Sequence, residues 1–166
     1  LLINREGKIS GRYDKLHLVP FGEYIPLKKY LPFLETVVPI GDITPGKDYK
    51  VFTERGAKFG VLICFEDLFP ELSRQFIKSG AGFLINITND AWYKETQAGY
   101  QHLQCSVFRA VENRVFVVRS ANTGVSAFIN SSGEIISTVR DNKAKEIFVR
   151  GIASEKVSFV PGKLTF

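Results

Sequence analysis

Methionine is absent from the 166 residues, and cysteine and histidine occur only twice each. Two cysteines cannot build a disulfide scaffold, and two histidines with no Cys/His pair at ligand spacing give no metal site. No apolar run approaches the ~18–20 residues that cross a bilayer. The longest, Phe59-Gly-Val-Leu-Ile-Cys-Phe65, is the size of one strand. The G-x-G-x-x-G dinucleotide fingerprint, the G-x-x-x-x-G-K-S/T phosphate loop and the G-x-S-x-G nucleophile elbow are missing too, and no cofactor is expected. Within these residues no signal peptide, internal repeat or linker is expected. With no initiator and an opening on Leu1-Leu-Ile3, the sequence reads as a piece of something longer.

What is present is globular: 45% hydrophobic and 23% charged residues, a balance that excludes disorder and low complexity. The net charge of +5 comes from scattered residues, with Lys28-Lys29 the only adjacent basic pair. A solvated surface explains it better than a charged partner, and no nucleic acid is expected.

Short apolar runs alternate with helical patterns. Lys58–Ile63 and Phe83–Thr88 read as buried strands, with the short run Lys50–Thr53 before the first. Between them Leu68, Leu72 and Phe76 recur every four residues, Pro70 suits a first helical position, and Gly80 suits a stop. Tyr100, Leu103, Val107 and Val111 predict the apolar face of a second helix. Val115–Val118, Val125–Ile129, Glu134–Thr138 and Glu146–Val149 read as strands, the middle two joined in a hairpin by Ser131-Ser-Gly133. The result is an α/β chain whose sheet is covered on at least one face by helices.

Residues 19–46 differ. They carry Pro20, Pro26, Pro32, Pro39 and Pro45, five of the seven prolines, with Gly22, Gly41 and Gly46. Regular structure cannot run far through that spacing, and a long loop in a compact domain is usually functional. Phe21, Tyr24, Ile25, Leu27, Tyr30, Leu31, Phe33 and Leu34 make this arm apolar, as a binding site or membrane contact would be.

Cys64 is the strongest chemical candidate. It ends a buried strand and precedes a helix, a position that lowers a thiol's pKa from ~8.5 and frees the thiolate as a nucleophile. A buried cysteine also simply packs. Lys15 stands in Tyr13-Asp-Lys-Leu-His-Leu-Val-Pro-Phe-Gly-Glu-Tyr-Ile-Pro26. A lysine there can stabilise an oxyanion, with Glu23 able to pair with it. His17, between Leu16 and Leu18, reads as packed rather than as a base. Cys105 reads as structural and His102 as helix surface. Asn86-Ile-Thr88 and Asn130-Ser-Ser132 match a glycosylation pattern, but the first falls in a buried strand and both are discounted.

Taken together, these residues resemble the nitrilase (carbon–nitrogen hydrolase) superfamily, and within it the apolipoprotein N-acyltransferase branch. The Tyr13–Pro26 stretch resembles that branch's lysine motif, and Ile63-Cys-Phe-Glu66 its nucleophile motif. Asn89-Asp-Ala-Trp92, Arg109-Ala-Val-Glu-Asn-Arg114 and Arg119-Ser-Ala-Asn-Thr-Gly124 match the rest, in order over essentially the whole chain. The resemblance implies an αββα sandwich, of which residues 1–166 would be part, with the first strands missing and the apolar arm at about 19–46.

The resemblance also implies roles: Cys64 as the acylated nucleophile, Lys15 stabilising the tetrahedral intermediate, and Glu23 supporting the site. Phe65, Glu66 and Trp92 would line the substrate pocket. The implied reaction moves a fatty acyl chain from a phospholipid to the N-terminal amine of a diacylglyceryl-cysteine apolipoprotein. The implied location is the bacterial inner membrane, the domain facing the periplasm and anchored by helices of the parent chain. The family's general-base glutamate lies further upstream of the lysine than this sequence reaches, so the piece alone is expected not to turn over. Phe65 stands where the family often has tyrosine. A soluble amidase of the same superfamily, or a non-catalytic module keeping the fold, remains the alternative.

Overall fold

The computed structural model describes residues 1–26, 30 and 43–159. A short antiparallel pair, β1 (Leu2–Ile3) and β2 (Ile9–Gly11), opens the chain. Among the described residues the main sheet has six strands, in chain order across the sheet. They are β3 (Phe52–Glu54), β4 (Ala57–Ile63), β5 (Phe83–Asn89), β6 (Phe116–Asn122), β7 (Ala127–Ile129) and β8 (Ile135–Thr138). The central β4, β5 and β6 run parallel; β3 at one edge and β7 and β8 at the other are antiparallel. Parallel neighbours need crossovers. Two helices supply them: α1 (Pro70–Lys78) between β4 and β5, and α2 (Ala98–Asn113) between β5 and β6.

Strand periodicity sorts the side chains. Leu62, Leu84 and Val117 are fully buried in the core that includes Leu72 and Phe76 of α1. Gly60 lets α1 approach: a Cβ there would stand 2.6 Å from Phe76 Cγ. Helix α1 starts on Pro70 and stops at Gly80, whose φ of +95° favours glycine. Leu68, expected on the face of α1, lies instead in a 3-10 turn before the helix and is exposed.

Two other expectations need correction. The buried stripe of α2 is Gly99, His102, Leu103, Ser106, Arg109, Ala110 and Asn113, not the predicted Tyr100–Leu103–Val107–Val111 face. Of that set Leu103 is buried and the half-buried Tyr100 and Val107 pack against the core, while Val111 is exposed; Val107 and Val111 also back the Gly133 turn of the β7–β8 hairpin. The helix thus turns a polar stripe inward, because charged partners wait there. Glu146–Val149 forms no strand: Phe148 has φ +55° and only Ile147 is buried.

Of the apolar arm, the part up to Pro26 begins with a tight turn in which the amides of Gly22 and Glu23 donate to Val19 O. Phe21 is exposed and Ile25 buried. Leu27, Leu31, Phe33 and Leu34 lie outside the described residues.

Candidate active site

Cys64 sits where β4 breaks into a 3-10 turn (Cys64–Leu68), with φ at +55°. A non-glycine residue in the left-handed region costs of order 1–3 kcal/mol and persists only when its surroundings hold it there. Those surroundings are specific. Asn86 Nδ2 donates to the carbonyls of both Leu62 and Cys64, at 3.3 and 3.1 Å. Glu66 Oε2 accepts from the Ile63 amide at 2.8 Å.

Glu66 does more than cap the turn. Fully buried, it also accepts the Tyr13 hydroxyl at 2.9–3.0 Å and the amides of Leu16 at 2.6 Å and His17 at 3.1 Å. Expected to line the pocket, Glu66 instead ties the Lys15 segment to the cysteine turn. Its four donors all come from the chain, so its carboxylate is taken. Burial first, then the charge of Glu66, pushes the Tyr13 phenol far above its ordinary range.

Lys15 Nζ bonds both oxygens of Glu23, at 2.8 and 2.7 Å, and Glu23 Oε2 also accepts the Val19 amide. The pair is mostly shielded, with side-chain exposures of 9% and 25%. A cavity of about 310 Å³ opens beside it, lined by Glu23, Phe21, Cys64, Phe65, Trp92 and Tyr93 among others. Among the described residues Lys15 is not in that lining; it reaches the cavity through Glu23. Trp92 is 84% exposed at the rim. His17 stacks on Phe69 with ring centroids 3.7 Å apart and pairs with no cysteine. Cys105 lies on α2, its Sγ directed to its own helix carbonyl at Gln101, and burial pushes its thiol up.

Behind the cavity lies a charge network that sequence reasoning missed. Arg119 of β6, wholly buried, donates to Asp67 Oδ2, Asp90 Oδ2, Asn86 Oδ1, Ser106 Oγ and the Val125 carbonyl. His102, read from sequence as helix surface, is 4% exposed and lies between two carboxylates. Its Nδ1 is 2.9 Å from Asp90 and its Nε2 2.9 Å from Asp67. Both contacts are hydrogen bonds only when both ring nitrogens carry protons. The network joins the cysteine turn, through Asp67, to the Trp92–Tyr93 turn, through Asp90. The signal in the sequence was polar Asn86, Thr88 and Arg119 inside otherwise apolar strands.

Burial disfavours a charged His102, but the hydrogen bonds and charge of the two aspartates outweigh it, and its pKa is raised above 6.5. Burial likewise opposes a charged Asp90, yet the His102 hydrogen bond and the Arg119 charge hold it below 3.8. The signs give opposite limbs. His102 contributes stability that is full below its unfolded pKa and is lost as pH rises through its folded one. Asp90 contributes stability that is full above its unfolded pKa and is lost as pH falls through its folded one. Denaturant midpoints should therefore be flat between about pH 4 and 6.5 and decline on either side. His102→Gln should remove the upper limb; a wild type still gaining stability from pH 7 to 9 would contradict this account.

Fold and site together define an α/β chain with a cysteine held under backbone strain at the corner between a strand and a turn. The family Carbon-nitrogen hydrolase matches residues 1–161, and the chain belongs to it. It is 50% identical over 135 residues to an Apolipoprotein N-acyltransferase of Geobacter metallireducens, covering 81% of this chain and 26% of that protein. It is 42% identical over 132 residues to Apolipoprotein N-acyltransferase 1 of Treponema pallidum, covering 78% and 24%. The chain thus spans about a quarter of the length of these curated relatives. Among solved structures, Nit3 of Saccharomyces cerevisiae, a member of branch 10 of the nitrilase superfamily, superposes with a TM-score of 0.59. That match has 24% identity over 82% of this chain and 46% of the yeast one, and it carries the fold alone. Among the described residues no helix is long and apolar enough to cross a membrane.

Proposed function

We propose that this chain is the acyl-carrying part of an apolipoprotein N-acyltransferase. The observation that carries the reading is the cavity that joins Cys64 to an apolar wall of Phe21, Phe65 and Trp92; the names of the relatives at 42–50% identity support it. In the first step the Cys64 thiolate attacks an ester carbonyl of a phospholipid. The C–S bond forms, the C–O bond breaks, and the leaving oxygen takes a proton to give the lysophospholipid. In the second, the N-terminal amine of a diacylglyceryl-cysteine lipoprotein attacks the thioester. The C–N bond forms, the amine loses its proton, and the thiolate is released. Splitting one transfer into two steps is what a thioester is for.

In this reading the Lys15 cation stabilises the developing oxyanion and the Glu23 carboxylate, bonded to it through both oxygens, fixes its position. The names of the relatives support a role for the complete protein in acylating apolipoproteins, and we propose that it works at the bacterial inner membrane, with this domain on the periplasmic side.

The complete protein is the one to test. Supplied with phospholipid vesicles and a diacylglyceryl-cysteine peptide bearing a free amine, it should release lysophospholipid and N-acylated peptide one for one. Hydrolysis of small amides without peptide acylation would favour a soluble hydrolase instead. Glu23→Gln should lower turnover by ~10²-fold, on the scale of losing a preorganised charge at the reacting oxygen, with the unfolding midpoint little changed. Full turnover in the Glu23→Gln variant would remove this carboxylate from the mechanism.

A further inference from the structure

Two polar side chains of the cavity wall stand outside the charge network and the Lys15–Glu23 pair: Asn89, whose Oδ1 accepts from the Ala91 amide and Asn122 Nδ2, and Tyr93. Tyr93 closes the 3-10 turn Ala91–Tyr93, lines the same cavity as Cys64, and is half-buried. Its backbone is pinned on both sides. The Tyr93 amide donates to Asp90 O at 3.0 Å, and its carbonyl accepts the Thr96 hydroxyl at 2.7 Å. Its ring is pinned too, 6.1 Å from the Phe65 ring and edge-on to His102, also at 6.1 Å. The phenol oxygen, in contrast, has no hydrogen-bond partner among the described residues. A fixed ring with a free hydroxyl, on the wall of a cavity that holds a nucleophile, is the arrangement of a preorganised donor.

We infer that the Tyr93 hydroxyl donates a hydrogen bond to the acyl carbonyl oxygen of the substrate while Cys64 attacks it. The inference rests on the acyl-transfer reading above and adds a residue to it. As the C–S bond forms, the carbonyl π pair moves onto that oxygen, and a neutral donor stabilises the new charge without giving up its proton. Tyr93 stays such a donor: burial first, then the nearby charges of Asp90 and Cys64, push its pKa up to about 12. Lys15, by contrast, shares its charge with Glu23, so a second donor in the cavity wall has a role of its own. The Asp90 link makes the charge network its support, since that network sets where the Trp92–Tyr93 turn stands.

The test is Tyr93→Phe in the complete protein, which keeps the ring and its packing and removes only the oxygen. Two rates are measured on Cys64: thioester formation from phospholipid, read by intact mass, and alkylation by iodoacetamide. Displacement of iodide builds no charge on a carbonyl oxygen, so alkylation reports only the reach and reactivity of the sulfur. The expected result is acylation slowed ~10²-fold, as for loss of one oxyanion donor, with alkylation unchanged. Equal acylation in variant and wild type overturns the inference and leaves the acyl-transfer reading standing. A parallel fall in both rates overturns it as well, making Tyr93 a packing residue for Cys64. A wild type that takes up no acyl group overturns the acyl-transfer reading itself, and this inference with it.

Discussion

Replacing Arg119 with methionine should destabilise the fold by about 3–5 kcal/mol, the usual cost of removing one partner from a buried ion pair. The guanidinium is wholly buried, and its five hydrogen bonds reach β5, α2, the segment between β6 and β7, and the two aspartates. Without it, Asp67 and Asp90 are left with His102 as their shared cation, and Asn86 loses the donor that orients its amide. Part of the loss should appear at the site, because Asn86 holds the Cys64 carbonyl. Arg119→Lys keeps the charge on one nitrogen that cannot span both carboxylates, so it should recover only a fraction. Denaturant unfolding measures both variants. A loss below about 1 kcal/mol for the methionine variant would mean the network is replaceable by apolar packing, as some buried ion pairs are.

Cys64→Ala in the complete protein should abolish acyl transfer, a loss on the order of 10⁶-fold of the kind seen when a nucleophile is deleted. Cys105→Ala should leave transfer within about 3-fold of wild type, given that surface and half-buried substitutions away from a site cost little. The contrast follows from where the two thiols stand. Cys64 lines the cavity under backbone strain, whereas the Cys105 sulfur lies against its own helix and its thiol is pushed up by burial. Removing Cys64 also relieves nothing, since alanine keeps the left-handed φ that the turn demands; the fold should persist while chemistry stops. Equal loss in the two variants would undo the assignment.

The central strands and α1 were legible in the sequence because their signals are local. Apolar runs of strand length, Pro70 at a helix start and Gly80 at its stop each depend on a few neighbours. The polar face of α2 was not legible, because its periodicity is apolar only one position away, at Tyr100, Val107 and Val111. What selects His102, Ser106 and Arg109 for the interior is their partners, and these come from distant segments: Arg119 and Asp67 stand 52 residues apart. The same holds for Glu66. The family resemblance suggested a pocket residue, but its partners Tyr13, Leu16 and His17 lie some fifty positions upstream. The Lys15–Glu23 pair, eight residues apart on one turn, was within reach of the sequence. Tyr93 was not, since a single aromatic after Trp92 carries no local mark of a free hydroxyl.

The most direct test of the account is the intact mass of the complete protein after isolation from membranes or incubation with phospholipid. The expected result is an acyl-sized increase that hydroxylamine removes and that maps to Cys64. An unmodified Cys64 in a preparation that acylates lipopeptide, or an adduct mapping to another residue, would contradict it.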